Sequence, residues 1–511
     1  MPIFGSIIKK IIDISQNFTS GNNPLEEQKE VLQSLLEKAK DTAFGKYYGF
    51  SEILKEENIE KAFQKHVPIF DYHQMYEAWW KQVEAGFADI TWPGRPSYFA
   101  LSSGTTGKSS KRIPVTNDML DSIRNAGLKQ ISAMANFDLP PGFFEKEIMM
   151  LGSSTNLIQR EDKLEEGEIS GISASNIPGW FRNYYKPGKE ISEIDDWDER
   201  VDEIAKNAKN WDIGAVSGIP SWLQLMFKKI IDYHEVDTIH DVWPNFQVYA
   251  SGGVAFEAYE KSFNALLSKP VIIIDTYLAS EGFLACQQRP GTTSMQLITS
   301  NGIYFEFVPF KPEYILEDGS LKQDAPVKTL AEVEVGEDYV LLISTVSGKW
   351  RYVIGDTIAF TDVERAEIKI TGRTKFFMNV VGSQLSVNKM NDGIRHLEEK
   401  YTLSLPEFVL SAVKKDGDFY HHWYIGTETK TDVPDEKLAE DLDAFLKESN
   451  KNYKVARSKA LKGVMVKTIP VELFYKWSAD KKKKGGQVKM EKIMKEEKLR
   501  RFQEFVENNR S

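Results

Sequence analysis

The sequence predicts an α/β protein: a large N-terminal domain over residues 1–378, built from α/β sheets plus a β-barrel-like region, then a smaller, mobile α+β domain over 379–511. Three observations carry this expectation. From about residue 97, short apolar runs close in small residues, as in YFALSSG, EIMMLGSST, WDIGAVSG, FQVYASGG and VIIIDTYLASEG, with helical stretches between them. Strands that end in such turns gather ligands at their ends. After residue 300 the texture becomes alternating, in GIYFEFVPF, YVLLISTVSGKWRYVIGDTIAFTDV and EIKITGRTKFFMNVVG, which predicts a twisted β region closing the large domain. Beyond about 383 a separate unit begins. It holds a hairpin at FVLSAVKKDGDFYHHWYIGTE with Asp416-Gly417 in the turn, an acidic helix at 434–449 opened by Pro434, a strand near 463–469 and a final charged helix. Ahead of all this, residues 24 to 90 read as helices rich in Glu, Lys and Leu, with aromatic anchors such as Trp79 and Trp80.

Composition narrows the chemistry. At 511 residues the chain holds ample core, and 65 Lys and Arg against 75 Asp and Glu leave a net charge of −10, which argues against a general nucleic-acid binder. Cys286 is the single cysteine, so neither an intrachain disulfide nor a cysteine-based zinc site can form, and a reducing compartment, the cytoplasm, is the expected home. The opening MPIFGSIIKKIIDISQNF has helical spacing, but Lys9 and Lys10 interrupt it, and no uncharged apolar stretch approaches the length of a membrane span. A monomer without integral membrane association is expected. HExxH, CxxC, GxGxxG and GxSxG are absent; Gly214-Ala-Val-Ser217-Gly218 has the wrong spacing for the last. The pair His421-His422 puts its two rings on opposite faces of a strand.

The stretch 102-SSGTTGKSSKRIP-114 ends its glycine run in Gly107-Lys108-Ser109 like a Walker A loop, yet Ser102 stands where that motif needs glycine. What remains is Ser102, Ser103, Gly104, Thr105, Thr106 and Gly107, followed by Lys108 and Lys111. Amides and hydroxyls can wrap phosphates, glycine lets the backbone approach, and lysine supplies charge; a solvated Ser/Gly loop is the alternative. Further along stand 277-YLASEG-282, 352-YVIGD-356, 372-GRTKFFMNVVG-382 and Lys489 beside a Gly-Gly pair. Singly, Glu281 can cap a helix, Asp356 can sit in a turn and Lys489 can be a solvated lysine.

In this order the set resembles the acyl-adenylate-forming ANL superfamily, whose motifs run SSGTTGxxK, YGxTE, Y(R)xGD, GRxDxxIKxxG and a late lysine. It is closer still to the auxin-responsive-promoter acyl acid amido synthetases. The Lys-x-Ile-Pro ending of the loop, 217-SGIPSW-222, 252-GG-253, 304-YFEF-307, 351-RYVIGD-356 and 485-GGQVKMEK-492 carry that likeness over roughly residues 65 to 492. The resemblance implies adenylation of a carboxylic acid by ATP with Mg²⁺, then transfer of the acyl group to an amino acid. It assigns the 102–107 loop with Lys108 or Lys111 to the phosphates, Glu281 to Mg²⁺, Gly252, Gly253, Tyr277, Ala279 and Ser280 to the nucleotide, Asp356 to the ribose, Arg373 to the hinge side of the nucleotide site, and Lys489 to the charge at the α-phosphate. Trp222 and Tyr304 are candidates for the acyl-pocket wall. The chain departs from the superfamily at Leu278, where glycine is usual, and at Lys375 and Asn379 in the hinge pattern. An acyl-CoA ligase and a catalytically silent nucleotide-binding protein are the competing readings.

Overall fold

The computed structural model describes residues 23–102, 111–160, 164–177, 179, 181–252, 256, 259–316, 320–374, 385, 387–415, 418–450, 453–454, 457–458, 461–480, 490–494 and 496–509. The chain forms two compact units. One holds Met1–Phe256, Ala265–Leu316 and Leu321–Ile370, the other Glu257–Asn264, Glu317–Ser320 and Thr371–Ser511. The expected boundary at 378 lies outside the described residues.

The first unit opens with the helix Pro24–Ala39, capped by the Asn23 side chain accepting from the Leu25 amide. Its apolar residues Leu32, Leu35, Leu36 and Ala39 recur at helical spacing and are buried. Gln28 on the same face is buried too, and its amide donates to the carbonyls of Thr299 and Ile303 while accepting from the Phe305 amide. Trp80 closes a π-helical turn, Tyr76–Trp80, and is also buried.

Strands follow in order: β1 (Tyr98–Ser102), β2 (Lys111–Val115), β3 (Glu147–Leu151), β4 (Ile158–Gln159), β5 (Glu165–Gly167), β6 (Tyr185–Lys186), β7 (Ile213–Gly218), β8 (Val248–Gly252), β9 (Ile272–Ala279), β10 (Gly282–Cys286), β11 (Met295–Leu297), β12 (Ile303–Pro309), β13 (Asp338–Thr345), β14 (Lys349–Asp362) and β15 (Glu367–Arg373). A small sheet has the order β2-β1-β5-β4, and a large one β12-β13-β14-β15-β11-β10-β9-β8-β7-β3-β6. From β9 to β6 the pairing is parallel, with helices such as Trp197–Asn207 and Pro220–His234 between strands. The antiparallel strands after 300, β12 to β15, make up one end of the large sheet. The β9–β10 hairpin and β11 join them edge to edge to the parallel half, so one open sheet runs through.

The second unit carries a three-stranded sheet: β16 (Glu407–Lys415) pairs antiparallel with β17 (Asp418–Thr427), which pairs parallel with β18 (Leu461–Pro470). The helices Val387–Tyr401 and Asp435–Ser449 bury Met390, Leu397, Leu438, Leu442 and Leu446 with Trp423 and Ile425 of the sheet. Pro434 stands at the N-cap of the second helix, and the charged helix Glu496–Asn508 ends the unit. Among the described residues no helix is long and apolar enough to cross a membrane.

Candidate active site

The carboxyl ends of the parallel strands β9, β8, β7 and β3 fall at Ala279, Gly252, Gly218 and Leu151. Ligands of α/β sheets collect at such an edge. β9 does not lead into a helix there. Ala279 pairs with Gly282 across a two-residue turn, Ser280-Glu281, which sets Glu281 at the tip of a hairpin and excludes the helix-cap alternative. Gly282 has φ 153°, and a Cβ there would meet Ile303 Cδ1 at 2.9 Å, so the return of the hairpin requires glycine.

Asp356 is aimed by an irregular strand. Between the pairs Val340–Thr357 and Leu342–Val353, one residue of β13 faces three of β14, Ile354, Gly355 and Asp356. Gly355 takes φ 91°, a conformation that costs a side-chain-bearing residue about 1–2 kcal/mol. Such a bulge re-aims a side chain out of the ladder. The outcome is a 2.5 Å hydrogen bond from the Tyr277 hydroxyl to Asp356 Oδ2, between two side chains that are both buried. Two residues chosen separately from the sequence thus meet across the sheet.

A second bulge lies at Trp350 and Arg351, which together face Ser344. Arg351, with φ 44°, pairs in the interior with Glu306 at 3.1 Å and donates to the carbonyls of Gln64 and Val67. Its backbone carbonyl accepts from the Phe70 amide, and the Phe70 carbonyl accepts from Val353. The N-terminal helical region therefore grips β14 between its two bulges. This buried pair fixes the strand that carries Asp356.

Lys349, at the start of β14, has no exposed surface, and its ammonium donates to the Pro114 carbonyl at 3.2 Å. Burial pushes its pKa down to about 8, while the Glu281 carboxylate pulls it upward. The Glu281 turn thus has a buried cation in its field, a feature no motif announced because a lone lysine reads as solvated.

β1 pairs antiparallel with β2 up to the register pair Ser102–Lys111, on either side of residues 103–110. Residues 103–110 themselves, with Ser103, Gly104, Thr105, Thr106, Gly107 and Lys108, lie outside the described residues, as do Gly253 and Lys489. Lys111 places its ammonium 5.0 Å above the Tyr72 ring. Gly252 ends β8 where an added Cβ would stand 3.0 Å from Thr276 Oγ1. Arg373 ends β15 and belongs to the second unit.

The two acyl-pocket candidates part company. Tyr304 is 1% exposed, packs against Phe63 and donates its hydroxyl to Glu60 at 3.0 Å. It is a core tyrosine with no surface to offer an acyl group, a correction to the sequence expectation. Trp222 stands in the first turn of the helix after β7, at the ligand edge, its ring 4.7 Å from that of Trp197. Among the described residues no cluster of three or more carboxylate, histidine or cysteine side chains could cage a metal. The half-buried Glu281 carboxylate at a hairpin tip is the hard oxygen donor that Mg²⁺ takes, and it would serve as a protein ligand to that ion.

Comparison with known proteins agrees with this architecture. Residues 16–203 match the GH3 family N-terminal domain, 296–373 its central domain and 388–498 its C-terminal domain. A jasmonoyl–L-amino acid synthetase, JAR6, of Nicotiana attenuata is 21% identical over 419 residues, 68% of each chain. A protein of Oryza sativa subsp. japonica described as a probable indole-3-acetic acid-amido synthetase, GH3.12, is 26% identical over 148 residues, 25% of this chain and 24% of its own length. The chain thus spans about a quarter of that relative and two thirds of JAR6. The solved structure of the GH3.15 acyl acid amido synthetase superposes with a TM-score of 0.75 at 16% identity, covering 98% of this chain and 96% of that one, which shows a shared fold. With three consecutive family domains matched along most of its length, the chain belongs to the GH3 family.

Proposed function

We propose that the protein is an ATP-dependent acyl acid amido synthetase, joining a carboxylic acid to an amino acid with release of AMP and pyrophosphate. The observation that carries this reading is the Tyr277–Asp356 hydrogen bond at the strand edge beside the Glu281 turn, in a chain whose relatives are named amido synthetases. In the first step a carboxylate oxygen of the acid attacks the α-phosphorus of ATP and the bond to the bridging oxygen of pyrophosphate breaks. The amine then attacks the acyl carbonyl, loses a proton and expels AMP.

Residues 1–378 bind ATP and the acid, and residues 379–511 supply Lys489. Asp356, held by Tyr277, accepts hydrogen bonds from the vicinal ribose hydroxyls. Tyr277, Ala279, Ser280, Gly252 and Gly253 border the nucleotide, with Arg373 toward the hinge, and the 102–107 loop with Lys108 and Lys111 donates to the phosphates. Glu281 is the side chain that would hold Mg²⁺, and the ion would supply positive charge to screen the phosphates. Lys489 adds positive charge where the transition state gathers negative charge. Trp222 borders the acid. The enzyme works as a monomer in the cytoplasm.

The test is pyrophosphate release across a wide panel of carboxylic acids, followed by mass spectrometry with amino acids or CoA supplied as acceptor. Pyrophosphate formation with transfer to an amino acid is expected. Transfer to CoA alone overturns amide formation, and silence across the panel overturns adenylation. Lys489→Ala should slow acid-dependent pyrophosphate release by about 10²–10³-fold with little change in thermal midpoint. Lys482→Ala, from the same lysine run, serves as the control; equal behaviour of the two removes Lys489 from the chemistry.

A further inference from the structure

Arg200 is a buried cation with carboxylates in its field but no direct ion pair among the described residues. The residue is 4% exposed, its Nε has no hydrogen-bond partner, and among the described residues its guanidinium forms no ion pair. Its one strong neighbour is the Trp197 ring, whose centroid lies 5.4 Å from Cζ. The nearby carboxylates are engaged elsewhere: Asp196 accepts from the Glu199 amide at 2.9 Å, Asp195 from Asn156 at 3.0 Å and Glu168 from the Ser153 hydroxyl at 2.7 Å. Burial pulls the guanidinium pKa down, as it does for a cation lacking a close counter-ion. Burying an arginine without a partner is costly, and such a group is retained where something else supplies the partner.

The position of Arg200 gives it a purpose. It lies in the first turn of the helix Trp197–Asn207, which runs back along the sheet into β7, so this turn sits at the carboxyl end of the parallel strands. Trp222, at the start of the helix leaving β7, packs on Trp197, and its indole N–H is buried without an acceptor among the described residues. Thr155, four residues past the end of β3 on the same edge, has a buried hydroxyl without a hydrogen-bond partner among the described residues. Two donor types and a hydroxyl thus wait on one edge. A guanidinium offers a planar fork of donors that matches a carboxylate.

We infer that Arg200, with Trp222 beside it, binds a second carboxylate on the acid substrate, so that the preferred acids are dianionic. This deepens the adenylation reading and rests on it. From β9 to β3 there are three strand steps, at about 4.8 Å each, so the two ends of such an acid are separated by roughly 10–15 Å.

The experiment compares α,ω-dicarboxylic acids of about eight to fourteen carbons with monocarboxylic acids of the same length. Both pyrophosphate release and calorimetric binding are read. The wild-type protein is expected to favour a dicarboxylate of intermediate length by about 10- to 100-fold in KM, with kcat little changed. Arg200→Gln should collapse that preference, and Arg200→Lys, which keeps charge but loses the fork, should restore part of it. Absence of a preference in the wild type overturns the inference, and so does a preference that survives Arg200→Gln. If Arg200→Gln does not fold, Arg200→Lys decides: reduced preference supports the site, and full preference sinks it. Should no acid release pyrophosphate, the adenylation reading fails, whereas calorimetric binding of the dicarboxylate that Arg200→Lys weakens leaves the carboxylate site standing.

Discussion

Two antiparallel hairpins of this protein, β16–β17 and β13–β14, are built to opposite rules. In the second unit, β16 and β17 pair through nine consecutive residues, from Glu407–Gly426 to Lys415–Asp418, with no shift in register. In the first unit, β13 and β14 shift twice, and each shift places a residue of the GKWRYVIGD segment in a bulge with a positive φ, Arg351 at 44° and Gly355 at 91°. The regular hairpin yields a scaffold whose inward side chains go wherever alternation sends them. His421 accordingly ends in the core, with no hydrogen-bond partner for either ring nitrogen among the described residues. The irregular hairpin spends pairing to place Arg351 on Glu306 and Asp356 on Tyr277. Register breaks therefore mark where side chains are aimed, and unbroken register marks where they are only packed.

The largest effect that would break this contrast is at Arg351. Arg351→Met leaves Glu306 buried without a counter-ion and should cost about 3–5 kcal/mol in chemical denaturation of the first unit. Replacing Glu306 with Gln in the same chain should recover part of it. A loss below about 1 kcal/mol would mean that the bulge does not depend on the pair.

In the regular hairpin the sensitive group is His421, whose pKa burial lowers to about 3, with Arg457 adding to the shift and Asp443 opposing it. A depressed folded-state pKa means that the unfolded chain takes up the proton first. Stability is then lost as pH falls from about 6.5 toward 3, by roughly 2 kcal/mol at pH 5. His421→Leu should flatten that acid limb while leaving the midpoint at pH 8 nearly unchanged, as thermal scans across pH would report.

Gly355→Ala has a smaller expected effect, about 1–2 kcal/mol, because alanine disfavours φ 91°. The informative readout is nucleotide affinity: if the bulge aims Asp356, ATP binding should weaken while binding of the acid stays near wild type. The last change, at Lys349, is read along the pH axis. Its folded pKa near 8 lies below that of an unfolded lysine, so stability should rise as pH climbs from 8 to 10.5, and Lys349→Met should remove that alkaline limb.

Much of the fold was legible because periodicity reports burial directly. The runs that end at Gly218, Gly252 and Ala279, the β16–β17 hairpin and the helix after Pro434 all follow from local spacing, while the expected turn residues Asp416-Gly417 lie outside the described residues. So did the ordered motifs, since backbone-determined features such as the Gly282 turn and the Gly355 bulge demand particular residues. Alternation could not say that the strands after 300 join the parallel half through β11 and the β9–β10 hairpin, because the edge that a strand pairs with is a nonlocal choice. Nor could local sequence separate Tyr304, a core residue under Glu60, from Trp222 at the ligand edge, for both are aromatics in apolar surroundings. Lys349 and Arg200 were hidden for the same reason. A cation inside a charged or polar stretch reads as solvated, and only the packing of distant segments removes its water. The sequence by itself determined the order of strands, helices and glycine turns, which are short-range consequences of backbone geometry. Tertiary structure alone decided which charges lost their solvent and which carboxylate met which hydroxyl, because burial and electrostatic pairing depend on segments far apart in the chain.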